Sequence, residues 1–151
     1  MSSRAIHPPP PVEDFLFVAI LKIADLLAQQ AEQVIKPSGL TPTQYNVLRI
    51  LRGAQPDGLP CRVIADRMIS RDPDMTRLLD RLAQQGCVTR ERQKDDRRVI
   101  KTRITSEGLK QLKKLDQPVH ELHRRQFRHM SSARLKQLGE LLQEVGKRES
   151  D

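Results

Sequence analysis

A change of period near residue 87 restricts this chain's fold more than any other feature of the sequence. Upstream, apolar residues recur at three- and four-residue spacing. Downstream lie two short segments with β-branched residues, Cys87–Arg92 and Val99–Ile104. Ile100, Thr102 and Ile104 share one face of the second segment. Between the segments, Gln93-Lys94-Asp95-Asp96-Arg97-Arg98 is polar throughout, which predicts a small antiparallel hairpin with a charged tip. The fold class expected is therefore mainly α with a small β-hairpin.

Helical signals surround the hairpin. The prolines that end at Pro11 favour an extended arm over residues 1–11. Val12, Leu16, Ala19, Ile20, Ile23, Leu27, Ala31 and Val34 then mark a first helix, which Pro37-Ser38-Gly39 stops. Thr41-Pro42-Thr43-Gln44 reads as a capping box, followed by Tyr45, Leu48 and Leu51 on a buried face. Gly53 to Pro60 reads as a loop, and a short third helix turns Val63, Ile64 and Met68 inward. Asp72 is expected to cap a fourth helix with Pro73 at its first position and Gly86 just past its end. Its apolar stripe is Met75, Leu78, Leu79 and Leu82. Thr105 caps a fifth helix carrying Leu109, Leu112, Leu115, Val119 and Leu122, which Pro118 should kink or interrupt. Ser131-Ser132 precede a last helix with Leu135, Leu138, Leu142 and Val145.

Composition narrows the function classes. The 151 residues suit one domain with extensions, and the longest apolar run, Phe15 to Leu21, is far too short to span a bilayer. No basic-then-apolar leader is seen, so export is not expected, and two cysteines, Cys61 and Cys87, make a reduced cytoplasmic compartment the default. The net charge of +8 is unevenly placed: residues 1–59 balance, whereas residues 60–104 carry 12 basic against 7 acidic side chains. Those basic residues interleave with apolar ones, so they decorate a folded surface. Such a surface attracts polyanions, because binding releases counterions condensed on phosphate.

The order helix, short helix, helix, hairpin is that of a winged helix-turn-helix, whose second helix, here about residues 73–85, enters the major groove. Asp74, Arg77 and Arg81 form a polar stripe rotated roughly 120° from the apolar one. Arg77 can bond guanine O6 and N7, and Asp74 can accept from cytosine N4. With Arg71, Asp72, Pro73 and Thr76 they make up the expected reading helix. On the wing, Arg98 suits a narrow minor groove, with Asp96 orienting its guanidinium through a bidentate pair. Arg92, Lys94, Lys101 and Arg103 would lie near phosphates, and Arg97 belongs to the DNA-binding wing with them.

Met75-Thr76-Arg77-Leu78-Leu79-Asp80-Arg81-Leu82, then Gly86-Cys87-Val88-Thr89-Arg90, Asp96-Arg97-Arg98 and Ile104-Thr105-Ser106-Glu107-Gly108 together resemble the MarR family of bacterial transcriptional regulators. The family pattern is a T-R-x-x-D-x-L recognition helix, a Gly-led strand with a following Arg, a D-x-R wing and an L-T-x-x-G helix opening. Its order and spacing match over about residues 40–108. The resemblance implies a homodimer whose long terminal helices interlock and whose two winged domains meet a palindromic operator in double-stranded DNA. It gives a winged helix-turn-helix at 38–108, a dimerisation region at 12–37 and 109–148, and an interface over residues 12–35 and 120–148. It also implies a repressor released by a small aromatic or phenolic effector, with Asp80 and Arg90 as buttressing residues. Pro60 departs from the Ser or Thr usual near the start of the third helix, which leaves that start weakly capped.

Other chemistries have less support. Phe15, Phe17 and Tyr45 are expected in the core rather than in an aromatic pocket. His120 and His123 lie one helical turn apart, but a zinc site needs a third and fourth ligand that the sequence does not place, so no metal or cofactor is expected. No nucleophile, phosphate loop or carboxylate pair accompanies His120-Glu121-Leu122-His123, so no enzyme is expected. Cys61 sits beside Arg62 near a helix start, where a thiol pKa can fall, and Cys87 is expected to pack under the hairpin. The alternative from another class is a winged helix that binds protein instead of DNA.

Overall fold

The computed structural model describes residues 9–147. Its elements run α1 (Val12–Ile35), a short 3₁₀ turn (Lys36–Ser38), α2 (Pro42–Gly53), β1 (Leu59–Pro60), α3 (Cys61–Arg67), α4 (Met75–Gln84), β2 (Val88–Arg92), β3 (Ile100–Ile104), α5 (Ser106–Phe127) and α6 (Ser132–Val145). Most of the expected arm, residues 1–8, and the outer boundary at residue 148 lie outside the described residues.

Local chemistry explains most of these limits. Thr41 and Gln44 form the reciprocal box: the Gln44 N–H donates to Thr41 Oγ1 at 3.1 Å, and the Thr41 N–H donates to Gln44 Oε1 at 3.0 Å. Thr105 and Ser131 cap α5 and α6 through their hydroxyls. At the end of α4, Gly86 takes φ +74° while its N–H bonds Ala83 O and the Cys87 N–H bonds Leu82 O. This is a Schellman closure, and a side chain at Gly86 would strain it. As expected, Pro60 at the N-cap of α3 gives that helix no side-chain cap.

Three expectations are corrected. The loop assigned to Gly53–Pro60 ends in a strand: β1 pairs antiparallel with β3, Leu59 opposite Thr102, giving a three-stranded sheet of order β1-β3-β2. Helix α4 starts at Met75 with Asp74 as its N-cap, so Pro73 precedes the helix and Asp72 does not cap it. Helix α5 runs unbroken through Pro118. The proline lies on the exposed side, while Leu115, Val119 and Leu122 around it are buried, so the helix is not interrupted there.

One core joins the C-terminal end of α1, through Ile35, with α2, α3, α4, the sheet and α5 as far as Val119; Val47, Leu48, Ile64, Leu79, Leu82 and Leu112 are fully buried there. Tyr45 belongs to this core as expected, but Phe15 and Phe17 do not: they are 60% and 65% exposed. No layer of the chain covers the N-terminal half of α1, whose attachment to α5 is made near its other end, where Gln126 Nε2 donates to Gln30 Oε1 at 2.9 Å. No helix among the described residues is long and apolar enough to cross a membrane.

Candidate nucleic-acid interface

Helix α4 separates two chemistries by angle. Met75, Leu78, Leu79 and Leu82 are buried, while Thr76, Arg77, Asp80 and Arg81 are exposed on the other side. Just ahead of the helix, Arg71, Pro73 and Asp74 are exposed and Asp72 is half-buried. Asp74 takes the capping role expected of Asp72, and Asp72 braces the turn before it. Asp74 Oδ1 accepts the Arg77 N–H at 3.0 Å, and Asp72 Oδ1 accepts the Asp74 N–H at 2.8 Å. Asp74 is thus committed through one oxygen to the helix start, where a carboxylate also favours the dipole, and only its other oxygen remains for a cytosine amine.

The wing is ordered by its backbone. The Gln93 N–H donates to Val99 O at 2.9 Å and the Val99 N–H to Asp96 O at 3.0 Å. Asp96 Oδ1 accepts from the backbone N–H of Arg98 at 3.0 Å, and no ion pair joins the two side chains among the described residues. The expected bidentate pair is therefore replaced by an Asx turn: Asp96 sets the direction of the chain at Arg98 and leaves the guanidinium free. Lys94, Arg97 and Arg98 are exposed at the tip and Arg92 at the end of β2, while Lys101 is half-buried on β3.

Two ion pairs brace this surface. Arg90 on β2 pairs with Asp80 on α4, tying the wing to the helix. Arg103 pairs with Glu91 at 2.7 Å and donates from Nε to Pro56 O at 3.3 Å, so this guanidinium is engaged within the fold. By contrast Arg71, Arg77, Arg81, Arg92, Arg97 and Arg98 make no ion pair among the described residues. The fold thus spends some arginines on its own rigidity and presents the others, which is what an anionic ligand requires.

Two residues of this face escaped sequence reasoning. Asn46 on α2 accepts the Ile69 N–H at 2.9 Å through Oδ1, pinning the turn between α3 and α4. Ile69 itself is 88% exposed. The available signal was the pair Met68-Ile69 at a helix end, where only one of two neighbouring apolar side chains can face the core.

The remaining candidates are not assembled into a site. His120 and His123 are exposed, and no group of three His, Cys, Asp or Glu able to hold a metal occurs among the described residues. Cys61 is half-buried at the start of α3. Cys87 is buried under the hairpin, where burial first and the Glu107 carboxylate second push its thiol pKa up, away from the reactive thiolate.

Residues 38–99 match the sequence profile described as MarR family. Over 133 residues the chain is 26% identical to the HTH-type transcriptional repressor IacR of Pseudomonas putida, covering 88% of this chain and 78% of that one. A MarR transcription factor from Planctomyces limnophilus is 34% identical, with a TM-score of 0.68 over 91% of this chain and 98% of that one. The S. aureus MepR–DNA complex is similar in fold, with a TM-score of 0.75, 23% identity, and coverage of 87% and 94%.

Proposed function

This chain is a member of the MarR family, and we propose that it works as a homodimer whose two copies of α4 and the wing read the halves of a palindromic operator. It is a DNA-binding transcriptional regulator. The observation that carries the finer reading is the pairing of two arginine-bearing elements on one braced body. Arg77 projects from the exposed stripe of α4, Arg98 from the wing tip, and the Asp80–Arg90 pair links helix to wing.

In this reading the N-terminus of α4 enters the major groove, Arg77 reads guanine, and Arg98 enters the flanking minor groove. Arg71, Pro73, Thr76 and Arg81 border the base contacts, and Arg92, Lys94, Arg97 and Lys101 neutralise phosphate. Asp72 and Asp74 shape the helix start, and Asp96 shapes the wing. The dimerisation region is residues 12–37 and 109–148, flanking the DNA-binding domain at 38–108. Its support is uncovered apolar surface: nine large apolar residues of α1, from Val12 to Leu26, are exposed in the single chain. An open groove of about 770 Å³ beside α5 and α6, with Phe127, Met130 and Leu135 in its lining, offers a seat for a partner's helix. The regulator acts in the cytoplasm without catalysis, as a repressor that occupies the promoter until a small aromatic or phenolic effector releases it.

A binding titration across salt concentration tests this. Affinity for an inverted repeat with half-sites about one helical turn apart should fall steeply with salt, as counterions leave about 6–10 phosphates. Arg98→Ala should weaken binding to every duplex, whereas Arg77→Ala should relax preference at one base position per half-site. Equal affinity for scrambled DNA overturns operator reading, and affinity independent of salt favours a protein-binding winged helix.

A further inference from the structure

Thirteen large apolar residues are exposed among the described residues, and twelve of them lie on α1 and α6, the helices assigned to the dimer. The thirteenth is Ile69, the most exposed of all at 88%. No element of the fold is left to cover it, and it lies far in sequence from the surfaces a second copy would take.

Its exposure is built by the backbone. Helix α3 ends at Arg67, and Met68 turns the chain into extended geometry with φ −65° and ψ 144°. Successive side chains of an extended chain point to opposite sides, so Met68 packs against the core and Ile69 faces out. The Asn46 carboxamide then holds the Ile69 N–H at 2.9 Å, which fixes this orientation from α2. Single exposed apolar residues are ordinary on protein surfaces, but this one is held outward by a side chain from another helix. It also stands in the segment that leads from α3 into α4, six positions before Met75 and next to Ser70 and Arg71, and the N-terminal end of a reading helix is the part that meets base edges.

The major groove offers one apolar group for such a side chain, the 5-methyl of thymine. We propose that Ile69 is a specificity-determining residue that packs against a thymine methyl beside the bases read from α4. The inference rests on the reading of α4 as the helix that enters the groove. It commits the turn ahead of that helix to a base preference that arginine contacts do not supply.

The test uses the full chain and a duplex that the protein itself selects from randomised DNA. Each thymine of that duplex is replaced in turn by deoxyuridine, which lacks only the 5-methyl group, and affinity is measured at fixed salt. The wild-type chain should lose about fourfold at one position per half-site, the effect of one buried methyl-sized group. Ile69→Ala should bind the thymine duplex correspondingly more weakly and be indifferent to deoxyuridine at that position. Ile69→Val should retain part of the discrimination, and as a change at an exposed residue it leaves folding intact. The proposal is overturned if no thymine is methyl-sensitive, or if Ile69→Ala and Ile69→Val keep the wild-type deoxyuridine profile. If a motif is selected and Arg77→Ala relaxes it while no thymine responds, only the role of Ile69 falls. If the wild-type chain selects no motif, the reading of α4 falls with it.

Discussion

The winged-helix unit and the helices that flank it meet water in opposite ways. In the first, apolar side chains from α2, α3, α4 and the sheet close over one another, and Ile69 is its single large apolar residue left in solvent. In the second, α1 exposes apolar side chains on several of its sides, from Phe15 and Phe17 to Leu21 and Ile23. A helix that is hydrophobic nearly all round is stable only when it is surrounded. One region is finished by its own chain, and the other leaves its apolar side chains uncovered in the single chain, which the proposed dimer would bury.

A matched pair of leucines puts this contrast to its hardest test. Leu79 is 0% exposed in the core of the winged unit, and Leu21 is 54% exposed on α1. Leu79→Ala should cost about 3 kcal/mol or more, through lost burial and the cavity left behind. That cost should lower the thermal midpoint by roughly 10 °C while the assembly state stays unchanged. Leu21→Glu should act on association instead, because it places a charge without a partner in the shared core. Sedimentation over a dilution series should show its dimer dissociation constant raised about 100-fold or more, with operator affinity falling alongside. If Leu21→Glu sediments as the wild-type protein does at every dilution, α1 is not part of an interface and the contrast fails.

The same division marks where the sequence was informative. In the winged unit, helix caps and the change of period at the hairpin were legible, because each is decided by neighbours within a few residues. Thr41 with Gln44, Thr105 with Gly108 and the glycine at 86 all act within that range. Strand β1 was not legible: two residues, one of them proline, carry no period, and only β3 in the folded chain makes them a strand. The start of α4 was ambiguous because Asp72 and Asp74 are both capable caps two residues apart. The structure uses both, one for the helix and one for the turn before it. For Asp96 the partner was right and the atom wrong, since a short carboxylate two residues away reaches a backbone N–H more readily than a long side chain's guanidinium. Phe15 and Phe17 were misplaced because an apolar pattern reports that a residue favours burial, not that its own chain supplies the cover.

A medium-sized effect is expected where α4 begins. Asp74→Ala removes the cap on the Arg77 N–H and should cost about 1 kcal/mol in denaturant unfolding. Asp74→Asn keeps an acceptor in the same place and should leave stability nearly unchanged. Both substitutions remove a negative charge from the start of the proposed reading helix, so both should raise non-specific DNA affinity at low salt. Equal destabilisation by the two would mean that the charge, not the hydrogen bond, holds the helix start.

An effect of similar size but opposite sign probes how complete the winged unit's own core is. Thr102 is 1% exposed at the centre of the sheet, between Leu59 on β1 and Arg90 on β2, and its hydroxyl has no hydrogen-bond partner among the described residues. A buried hydroxyl without a partner keeps its desolvation cost and gains nothing in return. Thr102→Val retains the branched shape that suits a strand and removes the polar atom, so it should raise unfolding free energy by about 1 kcal/mol. The thermal midpoint should rise by about 3 °C, with assembly unaltered. A loss of stability would instead show that the hydroxyl has a partner in solution. Arg90 is the natural candidate, because it is the cross-strand neighbour of Thr102 and its own Nε is buried without a partner among the described residues. In that case the brace between α4 and the wing would extend one residue further into the sheet than the Asp80–Arg90 pair alone.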